Sequence, residues 1–248
     1  MDSRSHLIQQ LETFSMSAWP ALKTVYYDGW LLRFSDGYTR RTNSVNPIYG
    51  STIGIDEKIT QCLALFKAQG IRPVFKVTDT VYPADLDTQL EQRGYKAEAT
   101  TSVQTVDLAT VDFDNIAPVT LEAQHSPDWI TTFARLNEVD NKHIPTMTHM
   151  LDHMALATAY ATIVDEGEVA AVGLGVAGMG IVGLFDIVTA ANRRNQGLGR
   201  RMVLGLLRWG REQGAQQGFL QVVADNAPAV HLYGSTGFRE AYRYWYRA

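Results

Sequence analysis

The sequence predicts an α/β protein with a mixed, twisted sheet flanked by helices, and three observations carry that reading. Short apolar, strand-like runs alternate with helical stripes along the 248 residues, the order expected when helices pack on a sheet. One junction is sharp. Residues 181–188 form an apolar run broken by a single acid, Asp186; beyond it Leu198, Met202, Leu206 and Trp209 recur at helical spacing. Third, there is a faint internal repeat. Leu86, Leu90 and Gly94-Tyr95 precede one strand much as Leu232, Tyr233 and Gly237-Phe238 precede the last one, which suggests an N-terminal α/β domain of related build.

Taken in order, residues 6–15 read as a short amphipathic helix and 26–34 as an aromatic-rich strand. Ser35-Asp36-Gly37 is turn chemistry, and a second strand-like stretch runs from Tyr38 to Val45. Residues 56–69 are helical, with Ile59, Cys62, Leu63 and Phe66 on one stripe and Gly70 as C-cap. A strand at 73–77, a helix from Asp85 to Arg93 and a strand from Glu98 to Leu108 complete the first domain, residues 1–110, expected to be non-catalytic. Residues 109–118 are polar, end at Pro118 and read as a linker. In the second domain, residues 119–248, helices are expected at 127–137 and 146–157 and strands at 160–164, 169–176 and 181–189. A helix to Gln213, a strand at 218–224, a short helix at 228–235 and a strand at 240–247 follow.

Composition narrows the class of function. There are 26 acidic and 22 basic residues, a net charge of −4, and the pI is about 5.9, which argues against a general nucleic-acid binder. Cys62 is the single cysteine, so no intrachain disulfide can form and a reducing compartment is the simpler setting. No apolar run reaches the roughly 18 residues of a membrane span, and Met1–His6 lacks a signal-like apolar core. The expectation is a soluble cytoplasmic protein with neither a nucleic-acid nor a membrane partner. A homodimer stays open, because the tyrosine-rich last strand could lie inside a sheet or at a dimer edge.

The candidate site lies in Arg194-Asn195-Gln196-Gly197-Leu198-Gly199. Two glycines let the backbone turn with its N–H groups outward, and the helix start adds partial positive charge, making an anion cradle suited to a pyrophosphate. Arg193, Arg194, Arg200 and Arg201 surround it; Arg194 and Arg200 are the best phosphate partners, whereas Arg208 and Arg211 read as exposed. Two other signals are discounted. Gly173–Gly178 matches GxGxxG but runs on into another strand, where a dinucleotide fingerprint needs a helix. His149 and His153 are four apart but lack a third ligand, so no metal is expected.

The arrangement from residue 119 to 248 resembles the GNAT superfamily, the Gcn5-related N-acetyltransferases. One motif is Thr189–Gly199 against a strand end followed by Q/R-x-x-G-x-G/A; the other is Asn226–Phe238 against N-x-x-A-x-x-L-Y-x-x-x-G-F. Ala191 stands where the family often has proline. The resemblance implies a GNAT-type sheet and transfer of an acetyl group from acetyl-CoA to a primary amine, by direct attack in a ternary complex. It implies that the loop from Arg194 to Arg200 (Asn195, Gln196, Gly197, Leu198 and Gly199 between them) holds the pyrophosphate. Ile187, Val188 and Thr189 would bond the pantetheine arm on a strand that splays from its neighbour, with Asn226 across the cleft. Tyr233 would be the general acid for the departing thiolate. Asp186, in an apolar strand, is the candidate general base; Glu138, Asp140 and His143 are alternatives acting through water. A small-molecule acceptor is favoured over a protein amine, because a covering N-terminal domain tends to enclose a pocket; Trp30, Tyr38, Arg40 and Arg41 are candidates to face it. A non-catalytic acyl-CoA sensor and a transferase of a longer acyl group are the other readings left open.

Overall fold

The computed structural model describes residues 3–248; Met1 and Asp2, part of the N-terminal reading, lie outside the described residues. The chain begins with α1 (Ser3–Ala18), β1 (Lys23–Tyr27), β2 (Trp30–Phe34), β3 (Val45–Pro47), α2 (Ile55–Ala68), β4 (Phe75–Thr78), α3 (Leu86–Gln92) and β5 (Ala97–Asp107). It continues through β6 (Thr120–Glu122), α4 (Pro127–Leu136), α5 (Ile144–Asp152), β7 (Ala157–Asp165), β8 (Glu168–Gly178) and β9 (Ile181–Thr189). It ends with α6 (Leu198–Glu212), β10 (Gln217–Val223), α7 (Ala227–Ser235) and β11 (Arg239–Arg247).

The residues divide into two units. The first holds the chain through Ser102 together with Tyr242–Ala248, and the second holds Val103–Ala241. Strand β5 therefore starts in the first unit and ends in the second, and β11 does the reverse. Each unit is a mixed sheet flanked by helices, as expected from the alternating pattern.

In the first unit β1-β2-β3-β4-β11 are successive neighbours. Hairpin β1–β2 is antiparallel, β3 and β4 are parallel, and β11 is antiparallel to β4. Trp30, Phe34, Phe66 and Phe75 fill its core; the Phe34 and Phe66 rings lie 4.6 Å apart. Burial of each such ring stabilises by about 1.5–3 kcal/mol. Trp30 is therefore a core residue, not a cleft residue, while Arg40 pairs with Glu98 at 2.6 Å and Arg41 stacks 5.3 Å from the Trp19 ring.

Three expectations change here. The strand at 26–34 is a hairpin, because Asp28 and Gly29 both take positive φ, 42° and 81°, and turn the chain between β1 and β2. The stretch from Tyr38 to Val45 is a 3-10 turn at Arg40–Thr42 before β3. Asn43 holds it: Oδ1 accepts from Ser35 N at 2.7 Å and Gly37 N at 3.0 Å, and Nδ2 donates to Thr39 O at 2.8 Å. Local side-chain bonds of this kind compete with a strand ladder. The helix expected at 146–157 stops at Asp152, since residues from Ala157 pair with β8 along β7.

In the second unit the order is β10-β9-β8-β7-β6, with the end of β5 beside β10. Helix α6 packs its buried stripe, Met202, Leu206 and Leu207, on the sheet core. Gly173 and Gly175 of β8 allow that approach, because a Cβ there would stand 3.0–3.2 Å from Met202, Leu206 or Trp209. That packing explains the glycine pattern set aside above as a dinucleotide fingerprint. Residues 109–118, expected as a linker, are irregular apart from a 3-10 turn at Leu108–Thr110. Phe113 of this segment is buried in the second unit's core. Arg208 donates to the Phe113 carbonyl, and the Arg211 guanidinium lies 4.2 Å from the Phe113 ring. Neither arginine is simply a solvated surface group, because each has a specific partner on this segment.

Candidate active site

The site begins where two parallel strands part. Strands β9 and β10 pair from Ile181↔Gln217 to Leu184↔Leu220 and no further, although β9 runs on to Thr189 and β10 to Val223. Burial changes at the same place: Phe185 and the residues before it in β9 are buried, whereas Asp186 to Ala190 are half-buried. A bulge causes the turn outward. The β8–β9 register slips between Val172 and Leu174, and Asp186, opposite the slip, takes a φ of +51°. An extra residue of this kind bends a strand and re-aims its side chains. The splay expected for this strand is therefore present, and Asp186 sits at its origin.

The loop after β9 ends in two left-handed residues, Asn195 at φ +62° and Gly197 at φ +78°. Gly197 is the N-cap of α6, and the first intrahelical bond is Arg201 N to Gly197 O at 3.0 Å. The N–H groups of Leu198, Gly199 and Arg200 thus precede the helical ladder and point out of the helix start. Gly197 is required by its backbone angle, since nothing lies within 4 Å of a Cβ there. Gly199 is required by approach, since its Cβ would stand 3.0 Å from Leu232 of α7. That contact places the loop against the helix carrying Tyr233, and Ile187, Leu198, Leu232 and Tyr233 pack on one core cluster.

The four arginines divide as their partners dictate. Arg193 pairs with Glu166 at 2.5 Å and Asp165 at 3.2 Å, and Arg201 Nε donates to Pro118 O at 3.0 Å. Arg194 and Arg200 have no side-chain partner among the described residues, and both are exposed beside the loop. A phosphate fits this site: outward N–H groups at a helix start, two left-handed residues and two uncommitted guanidiniums form a positive concavity.

Tyr233 is half-buried on α7, with its ring edge-on to Phe238 at a centroid distance of 6.0 Å. Burial raises its pKa above the ordinary 10.0, so the phenol keeps its proton through the neutral range. Asn226 is the N-cap of α7, and its Oδ1 accepts from Ala229 N at 3.3 Å. That cap is a signal the motif alone did not separate from cofactor contact.

The remaining candidates lie elsewhere. Asp140 caps a 3-10 turn and pairs with Lys142 at 2.9 Å, and the Lys142 hydrogen bond lowers its pKa, which suits an ion pair better than a proton acceptor. Glu138 occupies a left-handed position, φ +52°, just after α4. His153 Nδ1 lies 2.6 Å from the His149 carbonyl. Among the described residues no group of three or more His, Cys, Asp or Glu side chains could hold a metal ion. Cys62 is buried in the first unit, and burial pushes its thiol up to about 12. Among the described residues no helix is long and apolar enough to cross a membrane.

The fold is that of the GNAT acetyltransferases. Its fold matches a GCN5-related N-acetyltransferase from Kribbella flavida with a TM-score of 0.67 at 14% identity, over 99% of this chain and 95% of that one. A tandem GNAT protein from the clavulanic acid biosynthesis pathway matches with a TM-score of 0.65 at 13% identity, covering 95% and 86%. A family model described as "Probable histone acetyltransferase Rv0428c C-terminal" matches residues 6–247, and the chain belongs to that family. It is 27% identical over 247 residues to "Uncharacterized N-acetyltransferase YobR" of Bacillus subtilis, covering 97% of this chain and 98% of that protein. It is 28% identical over 240 residues to "Probable histone acetyltransferase Rv0428c" of Mycobacterium tuberculosis, covering 95% of this chain and 72% of that protein.

Proposed function

We propose that the second unit transfers an acetyl group from acetyl-CoA to a primary amine by direct attack in a ternary complex. The observation that carries this is the coincidence of strand splay and helix start: β9 leaves β10 at Leu184, and five residues past Thr189 it opens the loop that caps α6. The N–H groups from Gln196 to Arg200, with Arg194 and Arg200, hold the pyrophosphate. The backbone of Ile187, Val188 and Thr189 holds the pantetheine arm along the edge that β10 leaves. Asn226 borders the arm on the other side. When bound, acetyl-CoA supplies an activated acetyl thioester.

Tyr233 holds a proton at Oη and gives it to the departing sulfur, a step worth about 10²- to 10⁴-fold in rate. An unperturbed alkylamine has a pKa of about 10, so it arrives charged at neutral pH; Asp186 takes the proton it must lose before it attacks, and the second proton, lost from nitrogen in the tetrahedral adduct, replaces the one that Tyr233 gives to the sulfur. No cysteine lies in the second unit, so the chain offers no thiol for a covalent acetyl carrier there. The acceptor is a small-molecule amine. A protein amine is the second reading, favoured by the description of the matched family.

The test is release of CoA from acetyl-CoA with a panel of small amines and lysine peptides, beside thermal unfolding with and without acetyl-CoA. At about a hundredfold excess over its dissociation constant, a ligand stabilises the fold by about 2.7 kcal/mol. Stabilisation without CoA release on any acceptor would favour the sensor reading. Acyl-CoAs of increasing length, run in competition, test the longer-acyl reading, and the absence of any shift would sink the transferase proposal.

A further inference from the structure

We infer that the first unit carries its own anion in place of a cofactor phosphate: the Asp28 carboxylate fills the loop that leads into α2, so the chain takes up one acetyl-CoA, in the second unit. The inference rests on the acetyl-CoA reading of the second unit and says what became of the corresponding place in the first.

The two units share a run of elements. Strand β3, α2, β4, α3 and β5 follow one another as β9, α6, β10, α7 and β11 do. The helix ends match bond for bond. Gly70 N donates to Lys67 O and Ile71 N to Phe66 O after α2, as Gly214 N does to Arg211 O and Ala215 N to Gly210 O after α6. Gly94 N donates to Glu91 O and Tyr95 N to Leu90 O after α3, as Gly237 N does to Gly234 O and Phe238 N to Tyr233 O after α7. The first bonds of the helices match too: Lys58 N donates to Gly54 O as Arg201 N does to Gly197 O. Counted from the N-caps, Lys58 stands where Arg201 does and Ile53 where Gln196 does; α6, with 15 residues against 14, takes up its extra residue further along.

At that place the first unit is already occupied. Asp28 Oδ1 and Oδ2 accept from Thr52 N at 3.0 and 2.9 Å, Oδ1 accepts from Thr52 Oγ1 at 2.9 Å, and Oδ2 accepts from Ile53 N at 2.8 Å. Lys58 Nζ, fully buried, lies 3.2 Å from Oδ2. This is the donor set of a phosphate site, backbone N–H groups, a hydroxyl and an ammonium, spent on an internal carboxylate. The hairpin turn is pinned there: a Cβ on Gly29 would stand 2.2 Å from the Gly50 carbonyl oxygen, and Tyr49 N donates to Gly29 O at 3.0 Å. The N-cap differs accordingly, for Gly54 is extended at φ −60° where Gly197 is left-handed.

The neighbouring strands differ as well. Strands β3 and β4 pair only at Val45↔Phe75. Beside these strands Glu12 of α1 pairs with Lys76, its carboxylate 2.6 Å from Lys76 Nζ. The cavity left beside Asn46, Lys76 and Glu12 is about 20 Å³. A water needs about 10–15 Å³ by that measure, so the cavity has room for a water.

The experiment counts acetyl-CoA on the full chain, by native mass spectrometry and calorimetry. One per chain in the wild type and none in Gly197→Glu is the expected result. Two per chain, or one retained by Gly197→Glu, overturns the inference. No binding to the wild type counts against the acetyl-CoA reading itself, and the plug is then judged by a second measurement. In the Gly197→Glu background, which closes the second cradle, Asp28→Gly lowers the Tm, and inorganic pyrophosphate raises that double variant by several degrees while leaving Gly197→Glu unmoved at equal ionic strength. Equal responses of the two overturn the plug. If the double variant does not fold, the wild-type count decides.

Discussion

At the start of α6 three N–H groups and two arginines face solvent with no partner of their own; in the loop just before α2 the N–H groups of Thr52 and Ile53 clasp Asp28. Between β9 and β10 the strands part into a half-buried opening; beside β3 and β4 a buried Glu12–Lys76 pair stands instead. The same succession of elements thus yields an open site in one unit and a finished core in the other. The difference lies in which polar groups the chain satisfies from within, since a buried donor must find some partner. A unit that satisfies them internally gains structure, and one that leaves them open keeps a place for a ligand.

The sharpest break of this comparison is Gly197→Glu. It forces a β-carbon into left-handed backbone and sets a negative charge in the cradle; acetyl-CoA binding, read by thermal shift, should vanish, whereas equal stabilisation of variant and wild type would empty the cradle of its role. Tyr233→Phe should lower kcat by about 10²- to 10⁴-fold with acetyl-CoA affinity retained. Because burial raises the Tyr233 pKa, its alkaline limb in the wild-type rate profile should lie above 10.0 and be absent from the variant.

In the first unit, Glu12→Ala leaves Lys76 buried without its carboxylate, and Tyr242 Oη loses its acceptor at 2.6 Å. Breaking a buried pair costs about 3–5 kcal/mol, to be read by denaturant unfolding; a loss below 1 kcal/mol would mean the pair behaves as a surface one. Asp28 gives a pH signature. The Ile53 backbone hydrogen bond above all holds its carboxyl below the ordinary 3.8. Its stabilising contribution is therefore complete above that ordinary value and drains away as the pH falls through it toward the folded-state value. Asp28→Asn should flatten that acid limb, and an unchanged limb would mean the clasp carries no charge preference. The smallest effect is Asn226→Ala, about 1 kcal/mol of stability from the lost cap; a fall in acetyl-CoA affinity larger than the fall in stability would show cofactor contact besides capping.

The second unit was the more legible half. Leu198, Met202, Leu206 and Trp209 announce α6 by spacing alone, and Gly197 marks its left-handed cap, because both signals are local. The order of Arg194, Gly197, Gly199, Asn226 and Tyr233 was likewise readable as a motif. Elsewhere the sequence misled where side-chain partners outside the local pattern decide. Tyr38–Val45 has strand-forming residues, yet Asn43 ties it into a turn. Asp28 was lost within a stretch read as one strand, because its partners lie 24 and 25 positions away at Thr52 and Ile53. Arg208 and Arg211 looked like surface charges, because Phe113 is nearly a hundred positions off in sequence.

The sequence by itself determined the α/β class, the GNAT resemblance and the anion cradle, since hydrophobic period, glycine conformation and helix starts are properties of a few neighbouring residues. Only the tertiary structure decided that β5 and β11 each run from one unit into the other, that β9 turns outward at Asp186, and that Asp28 and Glu12 find their partners within the first unit. Those outcomes depend on hydrogen bonds and packing between residues far apart in the chain, and loop closure over such distances leaves no pattern in a local window.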